Sequence, residues 1–160
     1  MEQTIHLTVN GKKHELQVQT HSTLLDVLRD QLRLTSVRRS CGEGACGACT
    51  ILLNNEPVNS CLVLAVSVNG DEILTSEGLL KGDEVHPLMQ SFADNHGFQC
   101  GYCTSGILMT SYSIINENKT LDNAGVRKSM EGHMCRCTGY VNIVRSVQAA
   151  KKEKDAGNWW

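Results

Sequence analysis

The sequence lacks most of what marks a membrane, secreted or nucleic-acid-binding protein. No apolar run approaches the ~18–20 residues that cross a bilayer, so no transmembrane segment is expected. Met1-Glu2-Gln3-Thr4 carries neither the basic nor the apolar stretch of a secretory signal, which makes the reducing cytoplasm the expected compartment. Neither sign of charge dominates: 15 Lys and Arg stand against 17 Asp and Glu, without the basic excess of a nucleic-acid-binding surface. Aromatic residues make up 4%, so a core has to be built from aliphatic side chains. A hydrophobic share of 41% is still that of a folded chain, not of a disordered one. A length of 160 residues suits one domain or two small ones.

Cysteine is the residue in excess, with eight copies. Disulfides are rare in a reducing compartment, so the thiols are read first as metal or redox ligands. They fall into two groups, Cys41, Cys46, Cys49 and Cys61, then Cys100, Cys103, Cys135 and Cys137. Between the groups, the polar, glycine-containing stretch from Ser76 to Glu84 is a plausible joint.

The first half reads as strands with one helix. Ile5, Leu7 and Val9 alternate with polar residues, and Asn10-Gly11 is a strong type I′ hairpin signal, placing Leu16 and Val18 on the return strand. Thr23 and Asp26 have capping-box spacing ahead of a stripe of Leu24, Leu25, Val27, Leu28 and Leu32. Strands are expected at Thr50 to Leu53, Pro57 to Cys61 and Glu72 to Thr75, with Asn54-Asn55 turning between the first two. The second half reads as helical: Pro87 in a first turn, then Ser105 to Asn116, a weaker Asn123 to Glu131, and a last helix with Val141, Ile143, Val144 and Val147 on its apolar face. Short strands followed by a run of helices predict an α+β fold.

The first cysteine group has the C-x4-C-x2-C…C spacing of plant-type [2Fe–2S] proteins. Three thiolates on one short loop must converge on a small core, so the loop coils, and Gly42, Gly44 and Gly47 permit the required backbone angles. Their N–H groups can also approach the sulfurs and tune the cluster. Cys61, on a neighbouring strand, would complete the set. Four-cysteine structural zinc fits less well, since it favours two paired knuckles. The second group pairs C-x2-C with C-x-C, Cys100 and Cys103 at the start of one helix and Cys135 and Cys137 just before another, where helix N-termini favour thiolates. Taken alone, it fits either zinc or [2Fe–2S]. His133 reads as a spare surface histidine. Gly42-Glu43-Gly44 lacks the third glycine of a dinucleotide-binding loop, and the chain shows no catalytic site of its own.

Both groups in this order resemble the small iron–sulfur subunit of the molybdenum hydroxylase (xanthine oxidase/xanthine dehydrogenase) family, whose relatives include the small subunits of aerobic CO dehydrogenase and 4-hydroxybenzoyl-CoA reductase. The match is carried by Cys41-Gly42-Glu43-Gly44-Ala45-Cys46-Gly47-Ala48-Cys49-Thr50, Gln99-Cys100-Gly101-Tyr102-Cys103-Thr104 and Cys135-Arg136-Cys137-Thr138-Gly139-Tyr140. The resemblance implies an N-terminal plant-type ferredoxin-like β-grasp domain over residues 1–78 and a C-terminal four-helix domain over 84–155. By the same resemblance, each would hold one [2Fe–2S] cluster. It further implies a large partner subunit with molybdopterin, a medium subunit with FAD, a pterin contact at Gln99, and Cys137 as the ligand nearest the pterin. Ser105 stands where the family usually has proline, and His133-Met134 where Asn-Leu is usual. The implied function is relay of single electrons from molybdenum through two clusters to FAD or another acceptor, as the iron–sulfur subunit of a multi-subunit oxidoreductase. A stand-alone two-cluster carrier is the alternative. Two oxidised four-thiolate sites would take the formal charge from −2 to about −6, which Arg38, Arg39 and Arg136 near the ligands could offset. Trp159-Trp160 would either dock on a partner or form a disordered tail.

Overall fold

Alternating side chains and the Asn-Gly turn build the first hairpin. In the computed structural model, which describes residues 1–117 and 121–160, β1 (Glu2–Val9) and β2 (Lys12–Gln19) pair antiparallel from Glu2↔Gln19 to Val9↔Lys12. Asn10 and Gly11 both take positive φ, as the type I′ turn demands. A second hairpin, β3 (Thr50–Leu53) and β4 (Glu56–Asn59), turns on Asn54 and Asn55, both left-handed. Strand β5 (Glu72–Leu74) lies between the hairpins, parallel to β1 and antiparallel to β3, giving the order β2-β1-β5-β3-β4.

The helix that crosses this sheet is shorter than its apolar stripe suggested. The capping box forms: the Thr23 hydroxyl accepts from the Asp26 amide at 3.2 Å, and the Asp26 carboxylate accepts from the Thr23 amide at 3.0 Å. Helix α1 then spans only Leu24–Asp26 and widens into a π-turn over Val27–Gln31, with the Leu32 amide reaching back to the Val27 carbonyl. Leu24, Leu25, Val27 and Leu28 still face Ile5, Val18, Ile51 and Ile73. Each such fully buried aliphatic side chain contributes about 1.5–3 kcal/mol.

The second half contains α2 (Pro87–Asp94), α3 (Thr104–Asn116), α4 (Asn123–Ser129) and α5 (Val141–Asp155) around Phe92, Ile107, Ile115, Ile143 and Val147. One strand serves both cores. Successive residues of β3 point to opposite faces, so Ile51 enters the sheet core and Leu52 the helical one. Helix α3 packs directly on β3.

Three expectations are corrected. The fourth cysteine of the first group, Cys61, lies in a 3₁₀ turn, Ser60–Leu62, because β4 ends at Asn59. The stretch from Ser76 expected as a joint has structure of its own, a 3₁₀ turn, Ser76–Leu79, and a small hairpin of β6 (Leu80–Lys81) and β7 (Glu84–Val85). Val141 is exposed, since it begins α5 before the helix reaches the core. The Trp159-Trp160 segment is not a disordered tail. Trp159 stacks on Tyr112 and meets the edge of His86, its indole N–H bonds the Asn116 side chain at 2.9 Å, and Lys81 lies over the Trp160 ring. His86 is wholly buried and joins this tail to α2: its Nδ1 accepts from the Leu88 amide at 3.1 Å, and its Nε2 donates to the Trp160 carbonyl oxygen at 2.9 Å.

Glu77 ties the 3₁₀ turn to the loop before the first cysteines. Its carboxylate accepts from the Ser36 amide at 2.9 Å, from the Ser36 hydroxyl, and from the Thr75 hydroxyl at 2.6 Å. Burial pushes its pKa up, but these hydrogen bonds outweigh burial and hold it below the usual carboxylate value. The resulting stability is present above the unfolded carboxylate pKa and lost as pH falls through the lower folded value. Glu77→Gln is therefore expected to cost about 1–3 kcal/mol at pH 7, with the gap from wild type narrowing below about pH 4. Denaturant melts of both proteins at pH 7 and pH 3 check this.

Candidate metal centres

The loop from Arg38 to Cys49 coils because its glycines take positive φ: Gly44 at +78° and Gly47 at +69° are the two that touch other segments. The Gly44 carbonyl accepts from the Asn59 side chain at 3.0 Å, and the Gly47 carbonyl from the Thr50 hydroxyl at 2.8 Å. Ser60 bonds the Cys49 carbonyl through its amide at 3.3 Å and its hydroxyl at 2.8 Å, which brings Cys61 beside Cys49.

The thiols of the first group interact in two pairs, Cys41 with Cys46 and Cys49 with Cys61, and Cys61 also feels the charge of Cys41. Cys41 is exposed, and the other three are buried. The Glu43 amide leads the groups that pull the Cys41 thiol down to about 7, followed by the Cys46 thiol and the amides of Cys46 and Ala45. Burial, with the Cys49 sulfur alongside, pushes Cys61 up to about 11. One loop therefore presents amide hydrogens to a thiolate, while the opposite thiol awaits a positive group to make ionisation favourable.

The second group is gathered by two chain turns. Cys103 is the N-cap residue of α3, and Cys135 and Cys137 precede α5. The sulfurs of Cys100 and Cys137 are 3.6 Å apart, and Cys103 pairs with Cys135. Burial drives Cys103 up to about 12. Burial also raises Cys135, but the Thr138 hydroxyl at 3.1 Å and the amides of Thr138 and Cys137 outweigh it and bring the thiol down. Tyr140, left-handed at φ +66°, is the structural pin of this turn: its hydroxyl accepts from the Cys135 amide and donates to the His133 carbonyl, both at 2.9 Å. Among the described residues, no three Cys, His, Asp or Glu side chains close on a point that a single metal ion would fill. Both sets combine four sulfurs with surrounding amide donors, which is the donor chemistry of a two-iron core.

The remaining expectations divide. Gln99 is exposed and donates to the Cys137 carbonyl at 3.2 Å, so these two residues share one surface. Arg39 is held by Asp26 at 2.7 Å and Asp30 at 3.0 Å, and the Arg38 guanidinium lies 5.7 Å from the Tyr102 ring centre. Arg136 is exposed. His133 is not a surface histidine: it is 6% exposed, with Nε2 2.7 Å from the Thr110 hydroxyl. Burial lowers its pKa to about 4, only partly opposed by the Gly47 backbone, and Nδ1 has no hydrogen-bond partner. It lies in an irregular segment without periodicity, so its burial had no local signal.

The same region joins the two cysteine groups. The Met134 amide donates to the Cys46 carbonyl at 3.0 Å, the Tyr102 hydroxyl to the Arg39 carbonyl at 2.5 Å, and the Ser105 hydroxyl to the Ser36 carbonyl at 2.6 Å. Ser105, in the place of the usual proline, thus begins α3 with a bond to the other half.

Residues 7–75 match the 2Fe-2S iron-sulfur cluster binding domain and residues 75–148 the [2Fe-2S] binding domain. The chain is thus a two-domain [2Fe–2S]-binding protein, with a ferredoxin-like sheet domain followed by a helical one. The 6-hydroxypseudooxynicotine dehydrogenase complex subunit beta of Paenarthrobacter nicotinovorans is 47% identical over 87% of this chain and 88% of its own length. The aldehyde oxidoreductase iron-sulfur-binding subunit PaoA of Escherichia coli K12 is 41% identical over 92% of this chain and 71% of its own length. The crystal structure of quinoline 2-oxidoreductase from Pseudomonas putida 86 has a chain that superposes with a TM-score of 0.93 at 40% identity, covering 98% of both chains. The chain belongs to the family of small iron–sulfur subunits of the molybdenum hydroxylases, and its role is electron transfer within a multi-subunit oxidoreductase. The stand-alone carrier is not favoured, because these relatives are subunits of larger enzymes. No helix among the described residues is long and apolar enough to cross a membrane.

The glycine positions give a graded test. A Cβ on Gly47 would lie 2.4 Å from His133 Nδ1 and 2.5 Å from the Gly132 carbonyl oxygen, whereas one on Gly42, at φ +73°, would meet nothing within 4 Å. Gly42→Ala is expected to cost about 1–2 kcal/mol, the left-handed penalty alone. Gly47→Ala adds overpacking and is expected to cost roughly 2–5 kcal/mol, read as a larger fall in denaturation midpoint.

Proposed function

We propose that Cys41, Cys46, Cys49 and Cys61 hold one [2Fe–2S] cluster, and that Cys100, Cys103, Cys135 and Cys137 hold a second. The domains span residues 1–78 and 84–155. The chain relays single electrons from a molybdenum centre on a large molybdopterin-binding subunit to FAD on a medium subunit, or to another acceptor. Each cluster, when bound, takes up and gives back one electron. The observation that carries this reading is the meeting of eight thiols as two separate sets of four, each ringed by backbone amides and each built at a chain turn.

The protein's own groups do the rest. Amide hydrogens of Glu43, Ala45 and Cys46 stabilise charge at Cys41, and those of Thr138 and Cys137 do so at Cys135. Gln99, bonded to the Cys137 carbonyl, and the exposed Cys137 would together face the pterin. Apolar side chains flank both sites in support of partner contacts: Leu62, beside Cys61, is 64% exposed, and Met134, beside Cys135, is 66% exposed. The compartment proposed is the cytoplasm, where reduced thiols persist for cluster assembly.

Chemical analysis of the native protein is expected to give about four irons and four inorganic sulfides per chain, with two distinct EPR signals on reduction. In Cys137→Ser, one signal is expected to change while the other persists. A native protein without inorganic sulfide overturns the reading.

A further inference from the structure

Between the two cysteine groups, one hydrogen bond joins a cysteine of the first to the residue beside a cysteine of the second, from the Met134 amide to the Cys46 carbonyl at 3.0 Å. Cys46 belongs to the first group, and Met134 is joined by its peptide bond to Cys135 of the second. From sulfur to sulfur, the connection is covalent except at that bond. A hydrogen bond between two loops holds its length only if both loops are fixed, so what fixes them matters.

On the Cys46 side, Gly47 follows directly, and its carbonyl is so close to α3 that a Cβ on Gly106 would stand 2.1 Å from it. On the Met134 side, His133 precedes directly. Its amide donates to the Met130 carbonyl at 2.9 Å, its carbonyl accepts from Tyr140, and its ring, against Gly47, reaches the Thr110 hydroxyl of α3 at 2.7 Å. The imidazole is therefore a wedge in a three-way junction of the first cysteine loop, α3 and the segment before Cys135. Met134 itself contributes only backbone, since its side chain is 66% exposed.

We propose that His133 is a positioning residue for electron transfer between the two clusters: by bridging Gly47 and Thr110, it holds the Met134 amide on the Cys46 carbonyl. This rests on the two-cluster relay reading. In the step, one electron leaves the reduced cluster of one group and reduces the oxidised cluster of the other, with no proton or bond exchanged. His133 touches neither sulfur set and acts only through the two backbones it holds.

The test uses the full chain with both clusters, in wild type, His133→Ala, His133→Gln and Thr110→Val. Three quantities are read: the rate of electron redistribution after one-electron injection by pulse radiolysis, the spin–spin splitting between the reduced clusters, and hydrogen exchange in the peptide containing Met134. His133→Ala is expected to slow redistribution roughly tenfold, as a sub-ångström misplacement does in an oriented reaction. It should also shrink the splitting and speed exchange about fivefold, from loss of one hydrogen bond's protection. Both cluster potentials should stay in place. His133→Gln, close in size and able to hydrogen-bond, is expected to restore most of the rate. Thr110→Val keeps the imidazole, removes only its partner and should fall between wild type and alanine. Unchanged redistribution and splitting in His133→Ala with both clusters present overturns the proposal, and so does equal slowing in His133→Ala and His133→Gln. If His133→Ala loses a cluster, Thr110→Val decides, and wild-type behaviour there overturns the proposal. Absence of two cluster signals in the wild type overturns the relay reading itself, and the His133 role with it.

Discussion

The close backbone approach at Gly47 is the contact on which the rest of the structure depends. Its carbonyl against Gly106 and its α-carbon against Gly132 and His133 leave no room for a Cβ on Gly47 or on Gly106. That approach brings the first cysteine loop, the start of α3 and the segment before Cys135 to one place. It also explains why polar links gather there: Tyr102 to Arg39, Ser105 to Ser36, and Met134 to Cys46. Each runs from a residue near the second cysteine group to one near the first.

The division of labour in β3 follows from the same geometry. A strand has two faces, and here each belongs to a different core, with Ile51 on one and Leu52 on the other. Helix α3 covers the Leu52 face and carries Cys103 at its start. The sheet thus fixes α3, α3 fixes the second cysteine group, and the loop entering β3 carries the first. The two halves cannot shift against each other without disturbing both cysteine groups, which suits an electron relay, where distance governs rate.

Charge is handled locally rather than by an arginine lining. Arg39 is paired with Asp26 and Asp30, and Arg38 lies over Tyr102. The groups that lower Cys41 and Cys135 are backbone amides, the Thr138 hydroxyl and the neighbouring Cys46 and Cys103 thiols. Fixed dipoles of this kind need no counter-ion and no rearrangement when the charge changes. The C-terminal segment is handled in the same local way: His86, Tyr112 and Trp159 seal it against α2 and α3.

Much of this was legible in the residues. Spacing alone marked the eight cysteines and their grouping, since ligands on one loop must be close in sequence. The Asn10-Gly11 hairpin, the Thr23–Asp26 capping box and the start of α2 at Pro87 are local signals, and each formed where its chemistry placed it. Other features were decided only when distant segments met. The burial of His133, the π-turn after Asp26, the 3₁₀ position of Cys61 and the folding back of Trp159 depend on neighbours many residues away. Sequence by itself determined which atoms are available for metal chemistry and how each short turn bends, because those depend on adjacent residues. Tertiary structure decided which sulfurs face amides, which histidine is enclosed and how one cysteine group touches the other, because those contacts exist only after two cores have closed around one strand.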